Sequence, residues 1–101
     1  MKAQKKRRLE AAGWKQTSVR EFLYLSDADA QYIEMKLALS ELLRHVRERR
    51  RLTQTKAAAV LKTSQSRLAR MEAGDPSVSL DLLVRGLFAL GATPRDLLKA
   101  A

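Results

Sequence analysis

The sequence contains no cysteine, one histidine, two prolines and four glycines. Without a thiol there is no disulfide, no thiolate nucleophile and no sulfur ligand for a metal. The composition suits a reducing cytoplasm, and a cytoplasmic location is expected. A lone imidazole cannot build a metal site. His45 lies among arginines beside Val46, where the ordinary reading is a surface or phosphate-contacting histidine. No apolar run approaches the ~20 residues of a membrane span. The basic start is followed by no apolar stretch, so it does not read as a secretory signal. There is no glycine-rich phosphate loop, and the carboxylates are scattered with no pair placed for acid–base work. Neither an enzyme nor a cofactor is expected. With 101 residues the chain is one domain at most, too small for a cleft framed by separate domains.

Acidic residues are also scarce. Lys and Arg number 20 against 11 Asp and Glu, for a net charge of +9. The excess is concentrated. Residues 1–8 carry five basic residues and no acid, residues 9–43 net −3, and residues 44–71 net +8. A field focused in two blocks suggests a polyanionic partner, most simply nucleic acid. The alternative is a solvated surface that serves solubility alone.

In chain order, residues 1–17 read as a flexible basic arm, because Met1–Gly13 (MKAQKKRRLEAAG) offers no apolar face. Such an arm either lies along phosphates or merely solubilises. Trp14–Leu25 then gathers the only Trp with Phe22 and Tyr24. The alternation of Val19, Glu21, Leu23 and Leu25 with Arg20, Phe22 and Tyr24 favours a short strand. The spacing of Val19, Phe22 and Leu23 supports a helix instead. A lone strand needs a partner, such as a second copy or another protein.

Ser26 with Asp29 resembles a capping box and opens a helix that runs to about Arg50 without Gly or Pro. Ile33, Leu37, Leu39, Leu42, Leu43 and Val46 form its apolar stripe. A helix of ~25 residues is ~37 Å long, more than so small a core needs. Its first half is expected to project and take part in assembly.

Leu52–Gly74 (LTQTKAAAVLKTSQSRLARMEAG) is the stretch around which the rest is organised. Thr53 caps a short helix over Gln54–Leu61, Lys62 and Thr63 turn the chain, and Ser64 caps a second helix that Gly74 stops. Leu61, Leu68 and Met71 face the core. The opposite face carries Gln65, Ser66, Arg67 and Arg70. Gln pairs with adenine, Arg with guanine, and Ser with several groups. They stand toward the N-terminal end of the second helix, the end that meets base edges in a helix-turn-helix. Thr53, Gln54, Ser64, Lys62 and Arg51 surround them as phosphate contacts. Further on, Ser79 caps a helix to about Leu90. Thr93, followed by Pro94, caps a last helix whose Leu97 and Leu98 are expected to fold back on the core.

At residues 53–73 the sequence resembles the helix-turn-helix of phage-repressor-type (XRE) regulators. Thr53-Gln54, Ala58 and Gln65 fall on that family's pattern, with Gln65 eleven residues after Gln54. The resemblance implies an all-α, five-helix repressor-like domain over residues 18–101, which acts as a dimer on double-stranded operator DNA. It implies that Gln54 contacts phosphate and steadies Gln65, and that Arg47 pairs with Glu72. Lys62 stands where the family usually has Gly. Either Lys62 takes a strained left-handed conformation or the turn differs in shape.

Val19–Ser26, Ile33–Leu39 and Pro76–Leu83 further resemble the HigA-type antitoxin branch. That resemblance implies autoregulation of an operon and a partner toxin of the HigB/RelE ribonuclease class. Three readings follow: a sequence-specific repressor, alone or as such an antitoxin; a toxin-neutralising interaction protein; and a non-specific nucleic-acid coat. The polar recognition face argues against the last.

Overall fold

The computed structural model describes residues 26–100. The basic arm and the candidate strand within Trp14–Leu25 lie outside them. Five helices follow one another: α1 (Asp27–Arg49), α2 (Gln54–Val60), α3 (Gln65–Ala73), α4 (Leu80–Ala89) and α5 (Pro94–Ala100). No strand occurs among the described residues.

Local chemistry sets where each helix begins. The side chains of Ser26, Thr53, Ser64 and Ser79 each accept the backbone N–H three residues on, from Asp29, Lys56, Arg67 and Leu82. Each such cap satisfies a donor that the helix cannot satisfy itself, a contribution of about 1 kcal/mol. Thr93 and Asp96 bond reciprocally at the start of α5, the threonine N–H donating to Asp96 Oδ2 at 2.8 Å.

The helix ends are alike as well. At the end of α1, Leu52 N–H donates to Arg47 O and Arg51 N–H to Glu48 O. The same crossed pair closes α2 (Thr63 to Ala58, Lys62 to Ala59), α3 (Asp75 to Arg70, Gly74 to Met71) and α4 (Ala92 to Leu87, Gly91 to Phe88). Each is a Schellman closure, whose pivot takes a positive φ. The pivots are Arg51 (57°), Lys62 (57°), Gly74 (77°) and Gly91 (99°). Of the two outcomes left open for Lys62, the turn keeps its left-handed shape and the lysine carries the strain.

The core is leucine-rich. Leu43, Leu68, Leu83, Leu87 and Leu90 are the largest fully buried side chains, drawn from α1, α3, α4 and the end of α4. Burying each contributes roughly 1.5–3 kcal/mol. α1 packs against α3, α4 and α5, while α2 packs on α3. The helices converge at Gly86. A Cβ there would lie 3.3 Å from Met71 Cε, 3.6 Å from Leu61 Cδ1 and 3.8 Å from Leu43 Cδ1. Ala57 and Ala58 are buried, so α2 approaches its neighbours over small side chains. Ser40, the buried polar side chain of α1, is satisfied by donating to Lys36 O.

Two expectations change. Leu98 does not fold back on the core: it is 79% exposed, and Leu97 alone of the pair packs against the core. Adjacent helix positions point about 100° apart, and α5 is docked with Leu97 on its inner side and Leu98 turned outward. The first half of α1 does not project along its whole length. Leu37 is buried, and Lys36 Nζ reaches Pro76 O at 3.3 Å, so this stretch is tied to the turn between α3 and α4. Desolvation lowers the Lys36 pKa there, opposed by the charge of Asp75.

Candidate nucleic-acid interface

The expected polar face of α3 is exposed throughout: Gln65, Ser66, Arg67 and Arg70 all face solvent, opposite buried Leu68 and Met71. The helical period produces this division, since residues three apart share a face. Around them, Arg51, Thr53, Lys62 and Ser64 are exposed and Gln54 is half-buried. Thr53 and Ser64 use their hydroxyls as N-caps. The cap of α3 sits beside Ser66, whose Oγ lies 3.4 Å from that of Ser64.

One network fixes the start of α3 to the core. Arg47 Nε and Nη2 donate to the two oxygens of Glu72, the second at 3.0 Å. Arg47 Nη1 donates to Leu52 O at 2.9 Å, which holds the entrance to α2. Gln54 Nε2 donates to Glu72 Oε1 at 3.2 Å, and Gln65 Nε2 donates to Gln54 Oε1 at 2.7 Å. Thus α1, α2 and both ends of α3 meet in one chain of hydrogen bonds. The Arg47 and Glu72 side chains keep only 13% and 4% of their exposure, so the pair is largely shielded from water and salt. Hydrogen bonding to Glu72 raises the Arg47 pKa further above its already high value, and the guanidinium stays charged.

The reach of this network was partly expected. The Arg47–Glu72 pair and the Gln54–Gln65 contact were implied by the resemblance. The bond between Gln54 and Glu72, which joins them, was not. A further feature is a polar recess of about 410 Å³ lined by Ser64, Ser66, Arg67, Arg70 and Ser77 among others. It places Ser77, from the turn after α3, beside the two arginines. The signal for it was the Asp75-Pro76-Ser77 turn. There Asp75 Oδ1 accepts both the N–H and the hydroxyl of Ser77 at 2.8 Å, which fixes the turn. Those two bonds, aided by the charges of Arg70 and Lys36, hold the Asp75 carboxyl below its usual pKa.

A family model described as a helix-turn-helix domain matches residues 38–101. The chain belongs to this helix-turn-helix domain family. Membership points to a DNA-binding regulator, and the family is typically non-enzymatic. No curated protein and no solved structure matches the chain. The XRE resemblance agrees with the match, while the HigA-type branch receives no support from it. Among the described residues no cluster of His, Cys, Asp or Glu could hold a metal ion, and no helix is long and apolar enough to cross a membrane.

Proposed function

We propose that the protein is a sequence-specific transcriptional repressor that binds operator DNA as a homodimer. Gln65, Ser66, Arg67 and Arg70 read base edges in the major groove. Thr53, Gln54 and Ser64 contact phosphates, with Arg51 and Lys62 at the rim. The observation that carries this reading is the exposed polar face of α3, whose first residue is held by Gln54 on a network anchored in the core. A coat driven by charge alone needs no such fixed amide. Pre-set side chains are what discrimination between bases requires, each good bidentate contact being worth ~1–3 kcal/mol.

The test is selection of duplexes from a random pool by the purified protein. A repressor of this kind enriches a palindrome whose half-sites lie ~34–36 Å apart. Replacing Gln65 or Arg67 by Ala then weakens binding and changes the selected bases. A pool that emerges without sequence preference refutes the proposal.

The finer reading is that the repressor is the antitoxin of a HigBA-like toxin–antitoxin module that represses its own operon. It rests on the sequence resemblance of Val19–Ser26, Ile33–Leu39 and Pro76–Leu83 to that branch. The alternative is a stand-alone regulator without a toxin. Purification from native cells separates the two. A stoichiometric, ribonuclease-like partner whose binding is lost on deletion of residues 1–25 supports the antitoxin. A homodimer carrying only DNA supports the stand-alone regulator.

A further inference from the structure

Two of the four Schellman closures pivot on glycine and two on a cation. Arg51 and Lys62 both sit at φ 57°. For a residue with a Cβ, that conformation costs roughly 1–2 kcal/mol, and glycine, the usual occupant, would avoid it. Neither side chain has a hydrogen-bond or ion-pair partner among the described residues, and both are exposed. No contact within the described fold explains why either position carries a long cationic side chain.

The helix dipole does not explain them either. A cation just past a helix C-terminus is favoured. However, Arg51 stands two residues before Thr53, which caps α2, and Lys62 two residues before Ser64, which caps α3. Each cation therefore lies between the negative end of one helix and the positive end of the next, and the two fields oppose one another.

We infer that Arg51 and Lys62 are a matched pair of phosphate clamps, retained at strained positions for their charge at the expense of fold stability. The inference rests on the DNA-binding reading and deepens it. The two clamps precede the two helices of the motif at equivalent positions, so they grip the backbone while α3 lies in the groove. Their contribution is independent of base sequence, as phosphate contacts are.

The experiment uses the full chain and a 25-base-pair duplex of mixed sequence as probe, because clamp contacts do not require the operator. Two substitutions at each position separate backbone from charge. Lys62→Gly and Arg51→Gly remove both strain and charge. Lys62→Gln and Arg51→Gln remove charge but keep the Cβ. The expected result is that both glycine variants melt a few degrees higher than the parent, yet bind the duplex more weakly. Each of the four variants should lower the slope of log affinity against log salt by about 0.9. The glutamine variants should melt close to the parent. If the parent binds and the glycine variants bind it with an unchanged salt slope, the clamps are refuted while the DNA-binding reading stands. Glycine variants that melt lower than the parent would refute the clamps equally. If the parent binds no duplex at all, both readings fall together.

Discussion

Gln65, the first residue of α3, donates from Nε2 to Oε1 of Gln54 at 2.7 Å, across the turn that separates the two helices. The bond fixes the direction of the Gln65 side chain, whose remaining amide groups are the ones proposed to meet a base. Replacing Gln54 by Ala removes this guide and one of the three hydrogen bonds to Glu72. Because Arg47 still holds both Glu72 oxygens, stability falls by only about 0.5–1.5 kcal/mol. Discrimination between bases should fall further than affinity for mixed-sequence DNA. Competition between the best selected duplex and its single-base variants measures the difference. Undiminished discrimination in Gln54→Ala would show that the bond does not serve reading.

Arg47 and Glu72 behave differently, because they are shielded. Glu72→Ala leaves the guanidinium with Leu52 O as its remaining acceptor, and the loss should be about 3–5 kcal/mol. That is a large share of the 5–15 kcal/mol typical of a domain. Urea unfolding of Glu72→Ala should show a much lower midpoint. Replacing both partners by apolar residues, as in Arg47→Met with Glu72→Leu, should restore much of the loss, since no unpaired charge is then buried. A double variant as unstable as Glu72→Ala would place the cost in packing instead of in the orphaned charge.

The acid limb of stability follows from two carboxylates, Asp75 in the turn after α3 and Asp96 in the first turn of α5. Ser77 holds Asp75 and Thr93 holds Asp96 below the ordinary value of 3.8. A carboxyl whose pKa is depressed in the fold stabilises it fully above the unfolded value. That contribution is lost as pH falls through the lower folded value. The melting temperature should therefore hold from neutrality to about pH 4 and decline below it. Asp75→Asn and Asp96→Asn should each be less stable at neutral pH and lose less on acidification. Thermal melts between neutrality and strong acid check both effects.

The helix starts were legible in the sequence because a serine or threonine N-cap acts over three residues. Ser26, Thr53, Ser64, Ser79 and Thr93 each fall where such a residue precedes an apolar period. The exposed polar face of α3 was legible for the same local reason, through the helical period of Leu68 and Met71. What escaped depends on tertiary geometry. Nothing near Leu98 distinguishes it from Leu97 until α5 is docked. The left-handed pivot at Arg51 hides inside a run of arginines, whereas Lys62 stood out against an expected glycine. The bond from Gln54 to Glu72 joins residues eighteen apart that only the packed motif brings together.

Buried Gly86 and exposed Gly91 offer a final contrast, since the same substitution should act differently at each. At Gly91 a new Cβ would find no atom within 4 Å, yet the backbone sits at φ +99°. Gly91→Ala should therefore destabilise by roughly 1–2 kcal/mol through strain alone. At Gly86, inside α4, alanine gains about 1 kcal/mol of helix propensity. The one tight contact of the new Cβ is with Met71 Cε, the end of a flexible side chain. Gly86→Ala should thus be neutral or slightly stabilising. Gly86→Leu should lose about 1–3 kcal/mol or more, because Leu43, Leu61 and Met71 already fill the space. None of these changes touches the face of α3, so DNA affinity measured well below the melting temperature should stay at the parent value. A fall in affinity for Gly86→Ala would mean that the spacing of α4 from Met71 sets the position of α3.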